Sequence, residues 1–236
     1  MSFIVCADAV EWLASLAPES VDLVVTDPAY ESLEKHRKVG TTTRLKASDA
    51  SSNEWFPIFG NERFADLLSG LFRVLKNGTH CYLICDQDTM FVVHDLAPKA
   101  GFTWQKFLVW DKEIAGLGYN WRAQHEVICF LKKGKRSGDA AGCLNDNTTS
   151  DVLRCNAVRG GYPTEKPVPM LRTLIRMSSN QGDLVIDPFA GSGSTGEAAL
   201  RIGRKFAGCD VKESAVVAAN ARLGAVLNPA QRGLFS

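Results

Sequence analysis

Apolar and polar positions along the 236 residues fall into two rhythms, short β-forming runs and longer stretches with helical spacing. Phe3 to Ala7 is a short apolar run, after which Asp8 and Glu11 give a D-x-x-E capping signature for a helix carrying Val10, Leu13 and Ala14. Val21 to Thr26 is a second strand. Phe64, Leu67, Leu68, Leu71, Phe72 and Leu75 keep helical spacing, with Asn77-Gly78 as the stop signal. Thr79 to Asp86 reads as a third strand, and a helix follows from Asp88 to about Leu96. Lys106 to Lys112 and Glu126 to Lys133 are two further strands with a glycine-containing loop and no helix between them. Such a pair is expected to be antiparallel, because a parallel pair needs a longer crossover.

Residues 134 to 162 show no clear period. Beyond them come a helix through Met170, Leu171, Leu174 and Ile175 with Pro167 and Pro169 near its start, a strand at Asp183 to Asp187, and a helix at Ser194 to Gly203. A strand at Lys205 to Asp210 and a closing helix at Lys212 to Leu227 complete the pattern. Seven strands that mostly alternate with helices predict one α/β domain over 1–236, a doubly wound, mostly parallel sheet with one antiparallel strand. Two irregular stretches, 31–62 and 134–162, are long enough to be functional loops rather than connectors.

Composition narrows the class without fixing the function. Apolar residues at 45% and charged residues at 22% are ordinary for a soluble globular chain of this size, which can bury a sizeable core. No apolar run approaches the roughly 20 residues of a membrane span, and the Met1–Trp12 stretch lacks the basic leader of a signal peptide. The seven cysteines are odd in number and lack a C-x-x-C pair, and five lie in or beside apolar runs, which predicts reduced, buried thiols and a cytoplasmic location. His36, His80 and His94 form no ligand-like spacing with acids or cysteines, so no metal is predicted.

A net charge of +1 excludes a whole-molecule basic field. Local charge is less even: Lys35, Arg37, Lys38, Arg44 and Lys46 crowd the first loop, and a second basic knot spans Lys132 to Arg136. Charge runs are usually solvated faces, and phosphate contact is the alternative.

The most specific local pattern lies late in the chain. Gly191-Ser192-Gly193-Ser194-Thr195-Gly196 is a G-x-G-x-x-G turn between a strand and a helix, and Asp210 follows 19 residues after Gly191, where a ribose-binding acid would stand. A nicotinamide or flavin site is one reading and a plain tight turn another. Only 26 residues follow Asp210, too few for the second half of a dinucleotide fold, and no Gly-Lys-Ser/Thr holds a polyphosphate. A nucleoside-sized ligand without phosphate fits, and S-adenosylmethionine has that chemistry.

Asp27-Pro28-Ala29-Tyr30, placed directly after the second strand, combines with Asp187-Pro188-Phe189-Ala190-Gly191-Ser192-Gly193 into a pattern that resembles the S-adenosylmethionine-dependent DNA amino-methyltransferases. Their signatures are D/N/S-P-P-Y/F/W and F-x-G-x-G, and the order here resembles the family's β group, a circular permutation of the Rossmann-like fold. Residues 7–28, 72–86, 109–135 and 162–175 resemble the family's intervening segments. Ala29 departs from the pattern, where a second proline is usual; one fixed φ is lost and one N–H gained.

The resemblance implies an enzyme methylating the exocyclic N6 of adenine in double-stranded DNA at a short sequence, since Asp in the first position is commoner for adenine and Ser for cytosine N4. Cytosine N4 methylation and a non-catalytic S-adenosylmethionine- or DNA-binding module are the alternatives. It further implies that Asp27 and the Pro28 carbonyl hold the target amine, that Ala29 and Tyr30 complete the catalytic motif, and that Tyr30 offers a face to the base. Asp8, Ala9, Asp27, Lys166, Asp187, Phe189, Ala190, Gly191, Ser192, Gly193, Ser194, Thr195, Asp210 and Val211 are the implied cofactor residues, with Lys166 directed at the cofactor's carboxylate. Lys35, Arg37, Lys38, Arg44 and Lys46 are the implied phosphate contacts, Trp55-Phe56 an implied wedge or loop anchor, and 134–162 a short target-recognition insertion. His125-Glu126 is read as structural or as target-site wall. A homodimer, a cognate restriction enzyme, and a bacterial or phage-infected host cell complete the expectation.

Overall fold

A computed structural model describes residues 3–30, 57–116, 121–134, 143–158 and 164–228. Its strands are β1 (Ile4–Cys6), β2 (Val21–Thr26), β3 (Leu75–Cys85), β4 (Phe102–Asp111), β5 (His125–Lys133), β6 (Val152–Arg154), β7 (Leu184–Asp187) and β8 (Lys205–Asp210). Among the described residues they form one sheet in the order β1-β8-β7-β2-β3-β5-β4-β6. Of these strands, β5 runs against both its neighbours, β3 and β4, as the short hairpin connection requires. The helices are α1 (Ala9–Ser15), α2 (Phe64–Val74), α3 (Gln87–Leu96), α4 (Val168–Ser178), α5 (Ser194–Arg201) and α6 (Glu213–Leu227).

Each face of the sheet carries its own core. Helices α1, α2 and α3 cover one face through residues such as Leu13, Leu67, Leu71 and Val93. Helices α4, α5 and α6 cover the other through Leu171, Leu174, Ala199 and Leu223. Both faces are buried, which is why β2 reads as an almost continuous apolar run instead of an alternating one.

Four features differ from the sequence expectation. An eighth strand, β6, pairs with β4 at Val109 and Val152; three residues are too few to show a period. Helix α2 ends at Val74, and Leu75 already opens β3. Asn77-Gly78 therefore lies inside the strand, where Gly78 takes φ 84° and the β2–β3 register jumps from Val21↔Leu75 to Leu23↔His80. Helix α1 buries Ala9, Trp12 and Leu13, so its inner face is rotated away from Val10. Of the five strand-associated cysteines, Cys81, Cys85, Cys129 and Cys209 are buried while Cys6 is exposed. No helix among the described residues is long and apolar enough to cross a membrane.

Candidate active site

Strand order puts the two motifs side by side. β2 pairs in parallel with β7 through Leu23↔Val185 and Val24↔Ile186, so both strands release their chains at the same edge. The Thr26 hydroxyl ties the two ends together by donating to Asp187 Oδ1 at 2.8 Å. At that edge lies a cavity of about 460 Å³, lined by Asp27, Pro28, Ala29 and Tyr30 from one motif and by Asp187, Phe189, Ala190, Gly191, Ser192, Ser194 and Thr195 from the other. Ligands of doubly wound sheets bind at this carboxyl edge.

One wall is set by backbone geometry. Gly191 takes φ 47° and Gly193 φ 76°, left-handed conformations that favour glycine, and Gly193 caps α5. Gly191, Ser192, Ser194 and Thr195 supply the cavity lining, while Gly193 packs against Ala219 and Gly196 against Phe206. The Gly191 N–H donates to Asp210 Oδ2 at 2.9 Å and the Lys212 N–H to Oδ1 at 2.9 Å, which fixes the Asp210 carboxylate at the cavity edge with Val211 beside it. A Cβ on Gly208 would stand 2.7 Å from the Asp187 carbonyl oxygen, so β8 packs this closely on β7 only with glycine there. Asp187 is buried; burial pushes its carboxyl up to about 6, opposed by the Thr26 hydroxyl and the Phe189 N–H.

The facing wall is held by charge. Asp27 meets the buried Lys166 ammonium, which donates to its Oδ2. Lys166 also donates to the Thr164 carbonyl at 3.2 Å and stands 3.5 Å from Glu126 Oε2. Among the described residues, Asp27 Oδ1 is buried with no hydrogen-bond donor. Burial pushes the Asp27 carboxyl up to about 6; Lys166 pulls it down and Glu126 adds to the rise. Burial also raises the Tyr30 phenol; the residue is only 8% exposed and lines the cavity.

Ala29 is braced from outside. Its carbonyl accepts the Phe59 N–H at 2.7 Å, and Tyr30 and Phe59 form a parallel bridge. These contacts supply part of the stiffness that a second proline would have contributed. The Phe59 ring packs on Phe189 with centroids 5.0 Å apart, joining the two motifs across the cavity.

Asp8 caps α1 by accepting from the Val10 and Glu11 N–H groups, and both its oxygens also accept from Arg63 Nη2, each at 2.8 Å. Burial opposes ionisation of Asp8, and the Arg63 and backbone donors outweigh it and hold the carboxyl below the usual range. Asp8, Ala9 and Arg63 all line the cavity. Lys166, assigned from resemblance to the cofactor's carboxylate, is found paired with Asp27.

Arg63, Phe59, Trp110, Glu126 and Glu165 also line the cavity without having been singled out as ligands or catalytic groups. Their signal in the sequence is weak, because each reaches the site from a different element. Glu126, read from the sequence as structural or as target-site wall, lines the cavity opposite Trp110 in the β4–β5 pairing. Arg222 of α6 holds the Lys166 segment against the glycine turn, donating to Glu165 at 2.9 Å and to the Ser192 carbonyl at 3.2 Å.

Two basic expectations end differently. Lys35, Arg37, Lys38, Arg44 and Lys46, and Trp55-Phe56, lie outside the described residues. Lys132 and Lys133 of the second basic knot are buried at the far end of β5 from the cavity, and Lys133 donates to the Leu75 carbonyl at 2.7 Å. That pair is part of the sheet's packing and not a phosphate-binding face.

Residues 21–221 match the model of the N6/N4 methyltransferase family described as DNA methylase, and the chain belongs to that family. YubD of Escherichia coli K12, which carries the name of a methylase, is 31% identical over 99% of this chain and 95% of its own length. The DNA adenine methyltransferase YhdJ of the same organism is 27% identical over 88% of this chain and 78% of its own. Among solved structures, TTHA0409 of Thermus thermophilus in complex with S-adenosyl-L-methionine superposes with a TM-score of 0.68 at 21% identity, covering 96% of this chain and 94% of that one. The PvuII cytosine-N4-specific DNA methyltransferase gives 0.71 at 16% identity, covering 95% and 90%.

Proposed function

We propose that this DNA methylase transfers a methyl group from S-adenosylmethionine to the exocyclic N6 of adenine in double-stranded DNA. One observation carries the reading: Asp27 Oδ1 is a buried acceptor without a donor among the described residues, in the same cavity as the glycine turn and Asp210. An acceptor left bare in a buried site costs free energy unless a ligand supplies the donor.

The residues fit the cofactor. The cavity lies within the roughly 300–1,000 Å³ of small-molecule sites, Asp210 presents a fixed carboxylate to ribose hydroxyls, and Phe189 and Ala190 supply apolar contact. S-adenosylmethionine contributes a methyl group on a sulfonium centre. An adenine amine is a weak nucleophile because its lone pair is spread into the ring. In this reading Asp27 Oδ1 and the Pro28 carbonyl accept its two hydrogens, draw the nitrogen towards tetrahedral geometry and stabilise the charge that develops there. In a duplex the base must leave the stack to reach this cavity. The first-loop cations, Lys35, Arg37, Lys38, Arg44 and Lys46, are the proposed phosphate contacts, and residues 134–162 the proposed recognition insertion.

Cytosine N4 is the second reading, favoured by the likeness to the PvuII enzyme. Asp27 in the first motif position supports adenine through the family pattern. Mass spectrometry of nucleosides from unmethylated genomic DNA treated with the protein and S-adenosylmethionine tests the choice. N6-methyladenine is expected; N4-methylcytosine alone would reassign the base, and no methylated nucleoside at all would overturn the enzyme reading.

A further inference from the structure

Three charged side chains from separate parts of the chain meet behind the base wall. Lys166 is 7% exposed at its side chain, donates to Asp27 Oδ2 and lies 3.5 Å from Glu126 Oε2. The other oxygen of Glu126 is 3.3 Å from Lys112. Asp27 Oδ1 is left at the cavity with no donor among the described residues.

We propose that Lys166 and Glu126 are positioning residues for Asp27. The ammonium pins one carboxylate oxygen so that the other faces the incoming amine, and Glu126, itself paired with Lys112, holds the ammonium from behind. This inference rests on the methyl-transfer reading and states how its site is held in register.

The charge count explains the composition. Two buried carboxylates without a cation would not both ionise, because burial and mutual repulsion each favour a proton on one of them. Lys166 between Asp27 and Glu126 keeps Asp27 ionised, and Lys112 on the far oxygen of Glu126 closes the set at two cations and two anions. Asp27 Oδ1 is left as the oxygen that no cation among the described residues pins where positive charge develops. Lys166 stays cationic: burial lowers its pKa, and Asp27 and Glu126 together raise it beyond that loss.

Asp27 is faced by Lys166 and Glu126, with Asp187 and the Tyr30 phenol nearby and Lys112 behind Glu126. Burial pushes the Asp187 carboxyl up to about 6 as well, Thr26, Phe189 and Thr195 oppose the rise, and Asp27 adds to it. Comparison with Asp27→Asn therefore separates the two carboxyls.

The test is the pH titration of the Asp27 carboxyl by carbon-13 NMR in the full chain, assigned against Asp27→Asn. Single-turnover methyl transfer to unmethylated genomic DNA is followed over the same pH range. Lys166→Met is expected to move the Asp27 midpoint and the acid limb of the rate to higher pH, by about 1–3 pH units. Lys166→Arg should bring both back towards wild type. Glu126→Gln should move them the other way, to lower pH, and lower the plateau rate.

Unmoved Asp27 midpoints in folded Lys166→Met and Glu126→Gln proteins would overturn the proposal. So would a Lys166→Met protein whose sole defect is weak S-adenosylmethionine binding. If the wild type methylates no DNA while the opposed carboxyl titrations are observed, the charge arrangement stands and the enzymatic reading fails.

Discussion

The glycine-turn wall and the Asp27 wall of the cavity enclose the same space by different means. Asp187, Gly191 and Asp210 lie on two adjacent strands and the turn after the first, where the Gly191 and Lys212 N–H groups hold Asp210 and the Phe189 N–H and the Thr26 hydroxyl hold Asp187. Asp27, Glu126 and Lys166 come from three separate segments, Lys166 standing 139 residues from Asp27, and side-chain charges hold them together. A backbone-built wall fixes the shape of a ligand that is the same in every reaction cycle. The Asp27 wall depends on charges from distant segments, so single substitutions retune it, while each wall carries one carboxyl that burial pushes up to about 6.

The comparison breaks most visibly at Asp27. Replacing it with alanine removes the acceptor from the base wall alone, and the transfer rate should fall by about 10²–10⁴. Calorimetry should show S-adenosylmethionine binding within a few-fold of wild type. The opposite pattern belongs to Asp210→Ala: affinity weaker by about tenfold to a hundredfold, the loss of roughly 1.5–3 kcal/mol in hydrogen bonds to a charged acceptor, with the saturated rate largely kept.

Gly208→Ala tests whether close backbone packing shapes the cofactor wall. The new methyl would meet the Asp187 carbonyl oxygen at 2.7 Å, so urea denaturation should show a stability loss of about 1–3 kcal/mol. Arg63→Ala is the mildest. Its pair with Asp8 is partly exposed at 41% and 26%, which limits the stability loss to about 1 kcal/mol or less by the same assay.

How much of this was legible follows the same division. Seven strands and their helices could be read because each strand is an apolar run beside a helix or hairpin partner, β1 included at three residues, whereas β6 is three residues set in a polar stretch. Asn77-Gly78 carried a helix-stop signal, but Leu75 had already entered the sheet beside Val21, and tertiary pairing overrode the local cue. The glycine turn, Asp187 and Asp210 could be read because a fixed spacing encodes them. Arg63 on Asp8 and Glu126 on Lys166 could not, because no spacing links their elements until the sheet order is known. Lys132 and Lys133 misled for a related reason: composition records charge, and burial is decided by strand register.

The central claim is that cofactor and target base share one cavity between Asp27 and Asp210. Crystallographic density for S-adenosylhomocysteine bound to the protein tests it most directly. The account predicts ribose hydroxyls on the Asp210 carboxylate and the sulfur turned towards Asp27 and Pro28. Density outside this cavity, or a sulfur facing away from Asp27, would contradict it.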